Sequence, residues 1–388
     1  MPFGYLIFTG LLATGVLLVF MRSRPSRSSP IRVTHLLTWL VNESPFLAFV
    51  LLTASTALAI LQYGVRSPVF LIAAGLALGT TSGLVVIALR AVRTQPAIED
   101  GLREGLGPDW PLRIDPGLAA RLHRRPALVR LLYAPFPLRH PGVERLANIP
   151  YADDGRAHRL DLYRLRGSPS AGPTLVHFHG GAFVFGRKSR EARALLYRLA
   201  RHGWTCISAN YRLRRAARFP GPLVDAKSAI AWVREHGPRY GADPEHVFVA
   251  GSSAGAHLAA SAALTPNDPT FQPGFEDVDT AVSAAICLYG YYGDIDEGGP
   301  APSSPAEHIE GDRPPVFIAH GDLDALVLVE DVRRFVKRLR ETSSDPVVYA
   351  ELPGASHGFD FFDSVRSEMV IDGIEAFAAW VMISRTGG

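Results

Sequence analysis

The chain has 388 residues, of which 47% are hydrophobic and 20% charged, and its net charge is only +3. That length allows about two domain-sized units, and the near-neutral balance excludes a nucleic-acid-binding surface as its organising feature. The two cysteines, Cys206 and Cys287, each sit inside an apolar strand-like run and read as buried thiols rather than a disulfide.

The first 92 residues are far more apolar than the rest. Phe3 to Met21 carries no charge, and about nineteen residues at ~1.5 Å each span roughly the hydrocarbon core of a bilayer. No basic residue precedes this run and no clear small-x-small site comes after it, which favours a retained membrane helix over a signal peptide. A basic loop comes next, with Arg22, Arg24, Arg27 and Arg32. A second apolar run covers Leu36 to Val65, with Asn42, Glu43 and Pro45 near its start, and a third covers Val69 to Leu89. The short connection Gly64-Val65-Arg66-Ser67-Pro68 makes these two a helical hairpin. Gly75, Gly79 and Gly83 recur every four residues and are expected to offer a face for close helix approach. Residues 1–92 are thus expected to form a membrane domain of three transmembrane helices, separable from the rest of the chain.

Lys and Arg in short loops set membrane orientation. Four arginines in the first loop, one (Arg66) in the second, and Arg90, Arg93 and Arg103 after the third run place the remainder of the chain on the cytoplasmic side. Residues 93–142 read as a linker or cap segment. Within it, Leu118 to Leu138 mixes leucines with Arg121, Arg124, Arg125 and Arg130, which suits a membrane-surface segment, a cap over a site, or a plain linker.

Strand and helix patterns then alternate, the signature of a mostly parallel sheet flanked by helices. Strands are expected at 143–149, 158–164, 174–179, 204–210, 246–252, 282–289, 315–320 and 346–351. Helices are expected near 189–202, 222–237, 254–264, 328–340 and 367–383. Runs such as Val247-Phe248-Val249 are apolar throughout, as strands covered on both faces should be.

Val247 to Ala260 carries the clearest chemistry. An apolar strand ends in Gly251-Ser252-Ser253-Ala254-Gly255 and leads into an Ala/Leu-rich helix, a G-x-S-x-G pattern in strand–turn–helix context. The central serine is Ser253, a nucleophile standing clear of the sheet at the positive end of a helix. Strand 174–179 leads into His179-Gly180-Gly181-Ala182-Phe183, where small side chains let backbone N–H groups face a substrate. Oxyanion-hole candidates are Gly180, Gly181 and Ala182, the last two favoured, together with Ala254 beside the nucleophile.

The acid should follow the nucleophile after a later strand, and His320-Gly321-Asp322-Leu323-Asp324 offers two carboxylates. Asp324 lies further past the strand end and is preferred, with Asp322 expected to cap the turn. The base should come last, and His357 stands in a loop of small residues just before the final helix. His177 and His179 precede the serine and are expected to brace loops. No carboxylate or cysteine completes a metal-ligand set with them, and Gly180-Gly181 lacks the glycine spacing of a dinucleotide or phosphate loop. No metal or cofactor is therefore expected.

With these residues in hand the chain resembles the α/β-hydrolase superfamily, and within it the hormone-sensitive-lipase-like and carboxylesterase-type bacterial esterases, including membrane-associated ones. The motifs that carry the resemblance are His177 to Phe183, Asn210-Tyr211-Arg212-Leu213, Asp225 to Trp232, Gly251 to Gly255, His320 to Val327 and His357-Gly358. They lie within a hydrolase domain expected at 143–388. Ala182 stands where the family has a third glycine, and Tyr292 to Pro314 is short where relatives often carry an insert over the site. The resemblance implies a membrane-anchored serine esterase or lipase that takes an ester or lipid small-molecule substrate and contacts membrane lipid. Phe183, Phe185, Tyr291, Tyr292, Phe359 and Phe361 are candidates for an apolar acyl pocket. The competing readings are amide or peptide cleavage, acyl transfer with the same triad, and a non-catalytic membrane scaffold.

Overall fold

The computed structural model describes residues 3–21, 38–123, 140–153, 155–167, 172–214, 216–311 and 313–386. The first basic loop and most of the Leu118–Leu138 segment lie outside the described residues.

Three apolar helices come first: α1 (Phe3–Met21), α2 (Pro45–Tyr63) and α3 (Pro68–Val92). Each is long and apolar enough to cross a membrane. α2 and α3 both start on a proline, whose missing N–H costs nothing in a first turn. Gly64 closes α2 with a positive φ of 67°. The inner face of α3 is Phe70, Ala73, Ala77, Thr80, Leu84, Ile87 and Ala91, spaced alternately three and four residues apart. The glycine face expected from the sequence is only partly used. A Cβ on Gly83 would strike Val16 of α1 at 2.3 Å, whereas Gly75 and Gly79 face open space. Helix contact here runs along the bulkier stripe, because that stripe fills the space between the helices.

The eight expected strands all form: β1 (Val143–Pro150), β2 (Arg159–Leu165), β3 (Gly172–Phe178), β4 (Thr205–Ala209), β5 (Ala242–Ser252), β6 (Ala284–Leu288), β7 (Val316–Gly321) and β8 (Val347–Leu352). They make one sheet in the order β1-β2-β4-β3-β5-β6-β7-β8. β2 runs antiparallel to both neighbours, and β3 to β8 are parallel. All five residues of β4 and of β6 are buried, because helices cover both faces.

Five helices form at the expected positions: α5 (Arg193–Arg201), α6 (Gly221–His236), α7 (Ala254–Leu264), α8 (Val329–Thr342) and α9 (Val365–Thr386), while α4 (Thr94–Leu106) was not anticipated. α4 runs beside the edge strand β8, so close that a Cβ on Gly101 would lie 2.6 Å from Tyr349 O. Ile98, Leu102, Trp110, Ile114 and Leu122 are buried in the same apolar core as Phe317, on β7, and Phe377, on α9. Residues 94–123 therefore cover the sheet, and the boundary expected at 143 coincides with no break in packing.

The boundary expected at 92 is bridged too. Residues 38–43 are helical and buried Glu43 pairs with buried Arg366 of α9. Both Cys206 and Cys287 are buried and free.

Candidate active site

β5 and α7 meet at Ser253, whose φ of 54° and ψ of −116° are rarely adopted by a residue with a side chain. Such a conformation costs about 1–3 kcal/mol and persists only where the surroundings hold it. Ser253 N donates to Leu288 O at 2.9 Å, and Ser253 O accepts from Ala256 N at 3.0 Å. The flanking glycines are steric necessities. A Cβ on Gly251 would lie 2.0 Å from Gly255 O, and one on Gly255 would lie 1.9 Å from Phe178 O. Ser252 is fully buried and its hydroxyl donates to Asp360 Oδ2 at 3.2 Å, whereas Ser253 is half-buried.

The loop after β8 brings His357 to the serine. Its Nε2 lies 2.9 Å from Ser253 Oγ and its Nδ1 lies 2.7 Å from Asp324 Oδ2. Tyr289 crosses the imidazole edge-on at 4.7 Å. Asp324 is 1% exposed, and its Oδ1 accepts from Leu326 N at 2.8 Å and Val327 N at 2.9 Å. Burial pushes the Asp324 carboxyl up, but His357, His320 and the Val327 amide together hold the acid below its ordinary value. Asp322 turns away: its Oδ1 accepts from Gly354 N at 2.6 Å and so ties the β7 turn to the turn after β8.

The loop after β3 lies across the serine. Gly181, Ala182 and Phe183 all have positive φ, at 121°, 52° and 61°. The Gly180 amide is already engaged, donating to Glu191 Oε2 at 2.5 Å. That removes Gly180 from the oxyanion candidates and leaves Gly181, Ala182 and Ala254. The two early histidines brace loops. His179 stacks on Tyr211 at 4.5 Å and its Nδ1 lies 2.7 Å from Gly180 O, while His177 Nε2 lies 3.3 Å from Ser252 Oγ. Burial lowers His177 to about 3 and His179 to about 4, so both stay neutral.

Of the six aromatic pocket candidates, Phe183, Tyr292 and Phe359 are core residues. Phe185 and Tyr291 are exposed, as are Val184 in the loop of Phe185 and Leu326 in the loop of Asp324, and Phe361 is half-buried. The short segment after Tyr292 is pinned rather than lid-like: Ser303 Oγ accepts from Ile295 N at 2.9 Å and Ser304 Oγ donates to Tyr292 O at 2.8 Å.

Sequence reasoning passed over two groups of residues around the site. One is the buried set Glu191, Tyr289 and Asp360; the Tyr289 hydroxyl donates to Asp360. Burial pushes Glu191 up to about 7, only partly offset by the Gly180 amide, and it raises Asp360 as well. The other is Trp39, Asn42 and Glu43, of which the sequence singles out only Asn42 and Glu43, as polar residues near the start of an apolar run. A charged residue beside such a run was the available signal, but nothing local names Arg366, which lies 323 residues away, as its partner.

The sheet order and the strained serine between a parallel strand and a helix define an α/β-hydrolase. The BD-FAE family matches residues 160–296. The probable carboxylic ester hydrolase LipM of Mycobacterium tuberculosis is 37% identical over 84% of this chain and 80% of its own length. Esterase LipQ of the same organism is 36% identical over 76% of this chain and 77% of its own. Thermogutta terrifontis esterase 2, solved phosphoramylated by tabun, aligns with a TM-score of 0.53 and 27% identity, covering 62% of this chain and 96% of that one. The chain belongs to the hormone-sensitive-lipase-like carboxylic ester hydrolases.

Proposed function

We propose that this protein is a membrane-anchored serine esterase that hydrolyses carboxylic esters through Ser253, His357 and Asp324. The observation that carries the reading is the continuous chain of contacts at 2.9 and 2.7 Å from the strained serine through the imidazole to a buried acid. The names of the relatives supply the ester as substrate class.

In this reading Ser253 Oγ attacks the ester carbonyl while His357 Nε2 takes its proton. Asp324 fixes the tautomer and stabilises the imidazolium. The carbonyl oxygen becomes an oxyanion held by the amides of Gly181, Ala182 and Ala254, each such donor typically worth about 3 kcal/mol. His357 then gives its proton to the departing alcohol oxygen. Water, deprotonated by the same imidazole, releases the acid and restores the serine. The exposed Phe185, Tyr291 and Leu326 suit an apolar acyl group.

α1, α2 and α3 serve as the anchor, supported by their length and composition. Three spans put the basic first loop and the hydrolase domain on one face, which the arginine distribution makes cytoplasmic.

Ser253→Ala tests the reading. Hydrolysis of short esters and covalent labelling by a fluorophosphonate should both vanish with the fold intact. Labelling that survives in this variant would overturn it.

A further inference from the structure

The loop that carries His357 is bracketed by residues from the opposite end of the chain. Glu43 Oε1 accepts from Ser356 N at 2.7 Å, and Ser356 immediately precedes His357. Asn42 Nδ2 donates to Gly354 O at 2.7 Å and to Ser356 Oγ at 3.1 Å. Trp39 Nε1 donates to Gly358 O at 3.1 Å, just past His357. The Trp39 ring also packs on Phe361 at 5.5 Å and Phe362 at 4.9 Å. Glu43 is fully buried, and its second oxygen pairs with Arg366, 1% exposed, which reaches Pro353 O at 3.3 Å. Backbone groups at 353, 354, 356 and 358 are thus all held from residues 39–43 or through their partner Arg366.

These contacts exceed what docking a membrane anchor requires. A surface anchor needs apolar area, and Phe46, Ala91, Val365 and Met369 already supply a small apolar contact there. A carboxylate is instead taken wholly out of water and committed to one loop amide, the Asn42 side-chain amide and one guanidinium. We infer that the segment Thr38–Ser44, helical as far as Glu43 and leading into α2, is a positioning element for His357: Glu43, Asn42 and Trp39 hold the imidazole at the serine without touching substrate. The inference rests on the proposed triad. Its consequence is that the membrane-side segment and the catalytic loop form one structure, so the hydrolase domain is incomplete without residues 38–44.

Two double variants of the full chain isolate the effect from charge burial. Glu43→Met with Arg366→Met removes both charges, and a buried pair replaced by apolar residues generally leaves a fold standing. It also leaves Ser356 N without its acceptor. Glu43→Gln with Arg366→Met removes the same charges but keeps a carbonyl oxygen for that amide. For a short soluble ester, the Met/Met protein should lose about 10- to 100-fold in kcat with KM nearly unchanged, the cost of a small misplacement of a reacting group. The Gln/Met protein should recover most of that loss. A folded Met/Met protein with the kcat of the Gln/Met protein would overturn the inference.

Should the Met/Met protein fail to fold, Trp39→Phe decides on the same criterion. It deletes one hydrogen bond beside His357 but keeps an aromatic ring against Phe361 and Phe362, so a kcat several-fold lower at constant KM is expected, with only a small fall in Tm from the smaller ring; wild-type kcat would overturn the inference. Failure of the triad reading looks different, since the wild-type protein itself would then escape fluorophosphonate labelling at Ser253.

Discussion

Replacing Asp324 by Asn should lower kcat by about 10⁴-fold, and the geometry shows why. Asp324 Oδ1 accepts two amides, Leu326 N at 2.8 Å and Val327 N at 2.9 Å, while Oδ2 faces His357 Nδ1 at 2.7 Å. An asparagine must keep its carbonyl on the two amides. Turning it over would set its NH₂ against two N–H donors in a buried site, at about 1–3 kcal/mol for each group left unsatisfied. The NH₂ therefore points at His357, whose Nδ1 must accept. The imidazole proton then sits on Nε2, which faces Ser253 Oγ at 2.9 Å, and no base remains. A 10⁴-fold loss corresponds to about 5.4 kcal/mol of barrier. Asp322→Asn is the control. Its carbonyl can still accept from Gly354 N, and burial already pushes the Asp322 carboxyl up toward its neutral form, so kcat should stay within about 3-fold. The assay is kcat on a chromogenic short-chain ester, with Tm measured in parallel. A larger loss for Asp322→Asn, or an Asp324→Asn enzyme within tenfold of wild type, would refute the reasoning.

Deleting residues 1–92, which the sequence alone suggests would leave a soluble active domain, should instead give an unstable one. Arg366 would lose its only ion-pair partner among the described residues, and breaking such a buried pair costs about 3–5 kcal/mol; adding Arg366→Met should raise the Tm of the truncated protein, and no rise would count against the argument. Glu191→Gln should change the pH dependence of stability. The Glu191 carboxyl is raised from 4.5 to about 7 by burial, so its contribution is complete below about pH 4.5 and is lost as pH rises through 7. The Tm difference between variant and wild type should accordingly grow more positive from pH 4.5 to 8, and a flat difference would contradict the assignment. A reporter fused after the last helix should behave as cytoplasmic, and alkaline phosphatase activity there would reverse the proposed topology.

Much of the fold was legible because it is written in local periodicity. Strands buried on both faces must be apolar throughout, and all eight expected strands formed, their ends displaced by four residues at most, at the start of β5. The three candidate spans were equally plain from length and absence of charge. Ser253 was legible because a tight strand-to-helix turn demands glycine two residues to either side, a demand met within five residues. The chain order of acid and base narrowed Asp324 and His357 to two loops.

Contacts between distant segments were not legible, because residue type alone does not name a partner. Position past the strand end favours Asp324 over Asp322 in the sequence, but only the turn after β7 aims one at His357 and the other at Gly354. Gly180 has the residue type of a donor to substrate, but the fold brings Glu191 to its amide. α4 looked like a linker because its apolar stripe is short, and only the open edge of β8 gives that stripe somewhere to pack. Glu43 carried a charge beside an apolar run and gave no hint of its use. Its carboxylate is tolerable in the interior because Arg366 and the Ser356 amide meet it there beside the adjacent Asn42 amide, and tertiary packing alone brings the two distant partners to it.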